Sequence, residues 1–349
     1  MIMSELESEN RKLSPSRIVS GTRATGGLHL GNYIGALKQW KSFVDREQSA
    51  EFLFFIADLH AITTSYDKDK LADNTREIAA AYIASGIDIN KVTLFAHSAV
   101  PEHTYMQWLF TSITPLGWLN RMTQFKEKAG KKRENASLGL YAYPVLQAAD
   151  VLLYQASHVP VGEDQKQHIE LAREIAGAFN HRYGADFFNL PEPVILEEGA
   201  RIMSLRNGRE KMSKSSESDM SRINLTDTAD EISKKIRKAK TDPSPLPELF
   251  EELADRPEAA NLITIYASLS DKNRQDVLSE FAGKQFSEFK PALADLAIER
   301  LSPVTKEMNR LMKSPDDLDS ILVSGARRAR EIAQPVLNQA RELMGFWKG

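Results

Sequence analysis

Three short apolar runs separated by helical stretches constrain this chain more than any other feature. RIVSGTR (17–23) reads as a strand. EFLFFIADLHAI (51–62) is an unbroken apolar run, the pattern of a strand covered on both faces, and VTLFAHSAV (92–100) is a third strand. Between them lie YIGALKQWKSFV, with Ile34, Leu37 and Phe43 at helical spacing, and the alanine-rich LADNTREIAAAYIASGI, closed by Gly86. Strands and helices alternating at this spacing demand right-handed crossovers and a parallel sheet. The expected fold class is therefore α/β, a Rossmann-like doubly wound parallel sheet.

The pattern continues past Pro101, which opens a helix where its missing N–H costs little. LGLYAYPVLQAADVLLYQ reads as a buried helix, HVPVG as another strand, and EDQKQHIELAREIAGAFN as a long amphipathic helix with Ile169, Ala172, Ile175 and Ala176 on its apolar stripe. After Met203 the texture becomes polar and glycine-punctuated, and then helix follows helix, the first opened by Thr228 and Glu231 at capping-box spacing. The expected division is a polar tail over 1–16, a Rossmann-fold domain over 17–203, a loop over 204–220 and a helical domain over 221–349. The last helix of that domain is placed back against the sheet domain.

The loop after the first strand, GGLHLGNYIGAL (26–37), holds four glycines and a histidine. In an open parallel sheet such a loop feeds backbone N–H groups and a helix start toward an anion, and a nucleotide phosphate is the natural guest. Its spacing is neither G-x-G-x-x-G nor G-x-x-x-x-G-K-[ST], so neither a nicotinamide dinucleotide nor a P-loop is supported. A glycine turn that merely starts a helix is the plain alternative. EKMSKSSES adds Lys211 and Lys214 three residues apart in a loop dense with hydroxyls, a pair suited to neutralising an oligophosphate; a solvated charged loop is the plain alternative there.

HLGN (29–32) resembles the first signature of class I aminoacyl-tRNA synthetases, and KMSKS (211–215) matches the second. GNYIGAL, DLHAIT (58–63), YPVLQAAD (143–150) and VPVGEDQKQH (159–168) narrow the resemblance to the tryptophanyl-tRNA synthetase family. The resemblance implies adenylation of tryptophan by ATP with Mg2+, release of pyrophosphate, and transfer to the 3'-terminal adenosine of tRNA. It places His29, Asn32, Lys211 and Lys214 in catalysis. It implies ATP contacts for Arg23, Ala24, Thr25, Gly31, Asn32, Gly162, Glu163, Asp164, Ile202, Lys211, Met212, Ser213, Lys214 and Ser215. Tryptophan would meet Asp150, the acceptor for the indole N–H, together with Gln165, Tyr143, Gln147, His60, Val159 and Val161.

Two positions depart from the family pattern. Arg23 through Gly26 stand where Q-P-S-G is frequent, which adds a fixed charge facing the expected triphosphate path. Gln147 stands where a methionine is common, and with Tyr143 and Asp150 it also resembles the Y-x-x-x-Q-x-x-D pattern of tyrosyl-tRNA synthetases. A tyrosine-specific relative and a non-catalytic RNA-binding paralogue are thus the alternatives.

The net charge of −3 gives no global pull toward nucleic acid. Two basic clusters, Lys126, Lys128, Lys131, Lys132 and Arg133, and Lys234, Lys235, Arg237, Lys238 and Lys240, are candidates to follow tRNA phosphates, with solvated faces as the plain alternative. The resemblance also implies a homodimer, for which the helix around TYMQWLF is a candidate interface. Without cysteine there is no thiolate metal site, and the seven histidines show no metal-ligand spacing, so no protein-ligated metal is expected. No apolar run approaches a membrane span, and a cytoplasmic location is expected.

Overall fold

The computed structural model describes residues 16–47, 49–129, 133–162, 165–195 and 201–348. Five strands form one sheet, β1 (Arg17–Arg23), β2 (Glu51–Ala57), β3 (Val92–Ala96), β4 (His158–Val161) and β5 (Glu192–Ile195), in the order β3-β2-β1-β4-β5. Every pairing is parallel. The chain builds outward from β1 to β3 and then returns to lay β4 on the other side of β1, so the strand order reverses between β1 and β4. Ligands of doubly wound sheets sit beyond the strand ends at that reversal.

The run expected as one strand over 51–62 ends at Ala57, where Asp58–Ala61 turns into a single helical turn. Within β2, alternate residues serve opposite faces. Phe52, Phe54 and Ile56 join one apolar cluster, while Leu53 and Phe55 join the other. Helices α1 (Lys38–Arg46) and α2 (Leu71–Ala84) cover the first face, with the Trp40 ring 4.8 Å from Phe54 and 5.4 Å from Tyr82. The buried Tyr82 hydroxyl is satisfied by Thr22 Oγ1 at 2.7 Å. Helices α3 (Glu102–Thr111), α4 (Leu138–Leu152) and α5 (Lys166–Tyr183) cover the second face.

The C-terminal half is helical: α6 (Ala229–Arg237), α7 (Pro257–Ser270), α8 (Arg274–Phe281), α9 (Phe286–Met312) and α10 (Pro315–Leu343). The capping box at Thr228 and Glu231 is formed. One apolar cluster runs without a break from Trp40 and Phe54 into Leu262, Phe289 and Leu301, so the helical half is docked on the sheet. Helix α10 reaches the other cluster through Ala326, Ala329, Ala333, Leu337 and Ala340.

That last helix covers the free edge of β3, an arrangement that hides unpaired strand carbonyls. Arg328 donates to the Val92 carbonyl at 3.4 Å, and Gly325 lies so close that a Cβ there would fall on the Leu94 carbonyl oxygen. Backbone cannot give way as a flexible side chain can. Gly325→Ala is expected to lower unfolding free energy by about 3 kcal/mol in urea melts. Gly177→Ala, on α5 with open space around a Cβ, serves as the control and should stabilise by roughly 0.5 kcal/mol.

Candidate active site

A cavity of about 540 Å³ opens at the strand reversal, within the range that holds small-molecule ligands. Its walls come from the ends of β1, β2 and β4, from the helical segment that follows β1, and from α4. Among the anticipated residues, Arg23, Gly31, His60, Tyr143, Gln147, Asp150, Val159, Val161, Gly162, Gln165, Ile202 and Lys211 line it. Glu163 and Asp164 lie outside the described residues. Ser20, Gly35, Gln39, Gln124 and Arg201 also line it, and nothing in their local sequence announces this.

After β1, a helical turn at Leu30–Asn32 passes into a π-helical stretch at Tyr33–Leu37 and then into α1. The wider turn sets Gly35 and Ala36 on the cavity wall, a frequent use of π-bulges at functional sites. The backbone of the glycine loop is tied to a neighbouring helix. Gly26 and Gly27 both adopt left-handed backbone, φ 62° and 63°, which costs glycine little. Their turn delivers the N–H of Gly27 to Glu77 on α2 at 3.1 Å, and that of Leu28 at 3.4 Å. The Glu77 carboxylate thus pairs both donors and holds the loop against α2.

The KMSKS segment closes over this loop. Lys214 Nζ donates to the Thr25 carbonyl at 2.5 Å. The Ser213 and Ser215 hydroxyls lie 2.8 Å apart and tie the turn together. Met212 is buried in the apolar core and its N–H donates to the Ile202 carbonyl, while Asn261 of α7 brackets Met203 with two backbone hydrogen bonds of 2.8 and 2.9 Å. Ala24 is buried likewise. Both side chains thus anchor the loops and point away from the cavity.

The chain leaving KMSKS pairs with the first signature: the N–H of Leu30 donates to the Ile223 carbonyl and that of Leu225 to the Leu28 carbonyl. Asn32 Oδ1 accepts from the His29 N–H at 3.0 Å. The His29 ring is buried and its Nδ1 has no hydrogen-bond partner. Burial, reinforced by Arg222, Lys211 and Lys214, pushes its pKa down to about 4, so the ring is neutral at pH 7. In the unfolded chain it takes a proton below about pH 6.5. Stability from this group is therefore complete above that pH and declines as pH falls toward 4. Urea melts at pH 7 and pH 4.5 should differ by a contribution on the order of 3 kcal/mol that His29→Gln removes.

Burial lowers the pKa of Lys214, and Arg23 lies near enough to that lysine for its charge to help. Its guanidinium donates to the His60 carbonyl and to Thr64 Oγ1, both at 3.1 Å, and it sits on the cavity wall beside Tyr143. These bonds brace the loop after β2 and hold the guanidinium at the cavity wall. The expectation for Lys235 is corrected. It is buried and bonded to Asp219 and Asp227, each at 2.6 Å, so it belongs to the framework behind the KMSKS loop and has no free charge to offer RNA. Lys131 and Lys132 of the other cluster lie outside the described residues, as do the side chains of Lys128 and Arg133.

At the cavity floor, Asp150 of α4 is fully buried. His60 Nε2 lies 2.7 Å from its Oδ2 and His103 Nδ1 2.7 Å from its Oδ1. Burial alone would push this carboxyl up, but the His97 ring and the hydrogen bonds from His103 and His60 outweigh it and hold the group well below the usual carboxylate range. An ionised carboxylate only accepts, so both imidazoles donate to it. Tyr154, 2.7 Å from His103 Nε2, donates its hydroxyl and fixes that tautomer. His97 Nε2 also lies 2.7 Å from Oδ1, and Asp150 lines a cavity wide enough for an aromatic ring. Above it, the Tyr143 hydroxyl meets Gln124 and His168, each at 3.1 Å, and Gln147 meets Gln165 at 3.4 Å.

Comparison with known proteins follows this geometry. Residues 11–302 match the family described as tRNA synthetases class I (W and Y). A tryptophan–tRNA ligase of Caulobacter vibrioides is 57% identical over 95% of this chain and 96% of its own length. The chain belongs to the tryptophanyl-tRNA synthetases. A tryptophan–tRNA ligase of Rhizobium meliloti is 52% identical to this synthetase over 94% of the chain and 98% of its own length. The crystal structure of the Campylobacter jejuni tryptophanyl-tRNA synthetase, described as complexed with ADP and tryptophan, superimposes with a TM-score of 0.80 at 34% identity, over 95% of this chain and 100% of that one. A tyrosyl-tRNA synthetase of Aeropyrum pernix, at 18% identity and a TM-score of 0.63, shares the fold. Among the described residues of the synthetase, no helix is long and apolar enough to cross a membrane.

Proposed function

We propose that the synthetase activates tryptophan with ATP and passes it to tRNA through the cavity at the strand reversal. The observation that carries this reading is Asp150, a buried, ionised carboxylate lining an aromatic-sized cavity that Lys211 also lines. The indole N–H is the one polar handle on tryptophan's ring, and Asp150 accepts it. Tyr143, Gln147, His60, Val159 and Val161 enclose the ring, and Gln165 faces the amino group. A substrate carboxylate oxygen attacks the α-phosphorus, the bond to the bridging oxygen breaks, and pyrophosphate leaves. In the second step a ribose hydroxyl of the terminal adenosine attacks the carbonyl carbon and passes its proton to a phosphate oxygen of the leaving group, the bond from the carbonyl carbon to the phosphate oxygen breaks, and AMP leaves.

The first step needs no general base, because its nucleophile is already an ionised carboxylate, so positioning and charge stabilisation carry it. Lys211 and Lys214 take the charge of the departing pyrophosphate, the neutral His29 donates Nδ1–H toward the α-phosphate, and Ile202 meets the adenine. Mg2+ arrives with the triphosphate as part of the substrate. The exposed bases Lys234, Arg237 and Lys238 follow tRNA phosphates. Two copies associate through the face that exposes Trp108, Leu116 and Leu138, each more than two-thirds accessible. The location is cytoplasmic, in keeping with a chain free of cysteine.

The test is exchange of labelled pyrophosphate into ATP, run in parallel with tryptophan and tyrosine. Exchange with tryptophan is expected. Exchange with tyrosine alone would overturn the reading, and exchange with neither would leave an RNA-binding paralogue.

A further inference from the structure

We propose that the cavity floor is also a site for a divalent transition metal of the zinc class, held by His60 Nε2, His97 Nε2 and a carboxylate oxygen of Asp150, which metal and indole occupy by turns. The exclusion of indole rests on the indole-acceptor reading of Asp150; the metal site does not.

The three ligand atoms lie within 4.8 Å of one another on three separate elements. His97 supplies the second and independent observation. Its ring is fully buried, yet neither nitrogen has a hydrogen-bond partner, although Nε2 lies 2.7 Å from Asp150 Oδ1. A buried imidazole with Nδ1 unpartnered and Nε2 set against a carboxylate without the alignment of a hydrogen bond is costly unless something comes to it. The His60 and His97 rings stand side by side, centroids 5.3 Å apart and 25° from parallel, so both present Nε2 to the same carboxylate.

The chemistry of this donor set suits the metal. Neutral imidazole is the ligating form of histidine. Two neutral nitrogens and one anionic oxygen are borderline ligands that favour Zn2+, Co2+, Ni2+ or Cu2+ over Mg2+ or Ca2+. His60 and Asp150 line the cavity, which provides an entry path and leaves a fourth position for water. Around the carboxylate, His103 and behind it Tyr154 already supply the outer hydrogen bonds that ligating groups need. The 2.7 Å separation of His97 Nε2 and Asp150 Oδ1 is shorter than the roughly 3.3 Å edge of a tetrahedral zinc site, so the imidazole moves back by about 0.6 Å as the ion enters. His60, now ligating through Nε2, carries its proton on Nδ1.

The test uses Co2+ alone as the probe, added to chelator-treated full-length protein without ATP. One equivalent per chain should give the intense visible absorption of a four-coordinate ion, and His97→Gln should weaken binding by more than tenfold. Far-ultraviolet circular dichroism checks that the variant is folded, and His60→Gln provides a second variant with the same expected loss. Tryptophan should displace the ion, and Zn2+ should weaken calorimetrically measured tryptophan binding by tenfold or more. Absence of the absorption, or its survival unchanged in both folded variants, would overturn the metal site. Absorption that the variants lose but tryptophan cannot displace would uphold the metal site and sink Asp150 as the indole acceptor.

Discussion

Asp150→Asn is expected to lower kcat/KM for tryptophan by about 10³-fold in pyrophosphate exchange, because a site built around a buried acceptor strongly rejects any mismatch in its hydrogen bonds. The amide keeps the volume and removes the charge. One of its two polar atoms then carries hydrogens and meets either His60 Nε2–H or His103 Nδ1–H, donor against donor, across distances that are now 2.7 Å. The same conflict should cost about 3 kcal/mol of unfolding free energy, as the loss of one partner from a buried charged network does. ATP binding, measured separately, should stay within a factor of three. A fall in kcat/KM smaller than tenfold would show that the indole N–H finds its acceptor elsewhere.

The second large effect belongs to the KMSKS lysine. Lys214→Ala should lower the rate of adenylate formation by about 10²–10³-fold, the usual cost of removing one donor aimed at developing charge. Tryptophan affinity should change little, since the lysine lies on the far side of the loop, bonded to the Thr25 carbonyl. Burial lowers its pKa, which Glu77 partly offsets. A triphosphate brings negative charge that adds to that of Glu77 and offsets the neighbouring Arg23. Single-turnover formation of the adenylate and equilibrium tryptophan binding separate the two effects. Equal losses in rate and in tryptophan affinity would mean that the lysine merely tethers the loop.

The two signatures were legible because their chemistry is local. GGLHLGN and KMSKS announce themselves by spacing, and the apolar runs announce a parallel sheet because a strand buried on both faces has no polar side to show. Asp150 was legible for a related reason: an acid set among Ala148, Ala149, Val151 and Leu152 is conspicuous in an apolar helix. Basic clusters were less informative. Lys235 looks like its neighbours in sequence, yet its face of α6 turns inward to Asp219 and Asp227, and helical phase alone does not reveal two carboxylates waiting there.

Metal-ligand spacing fails for a similar reason. His60, His97 and Asp150 follow β2, follow β3 and sit within α4, so no short pattern contains them.

Periodicity, glycine placement and the two lysines are properties of neighbouring residues; they settle the α/β class and the strand order's beginning before the chain folds, and they mark two loops as candidates for an anion. Which N–H groups of the glycine loop are free, where Arg23 points, which lysine is buried and how three histidines gather on one carboxylate depend on segments far apart in the chain. Glu77 reaches Gly27, and α10 returns to press Gly325 against Leu94. Pairings of this kind are decided by which surfaces the packed sheet brings within hydrogen-bond reach, a question of shape that composition and local pattern do not contain.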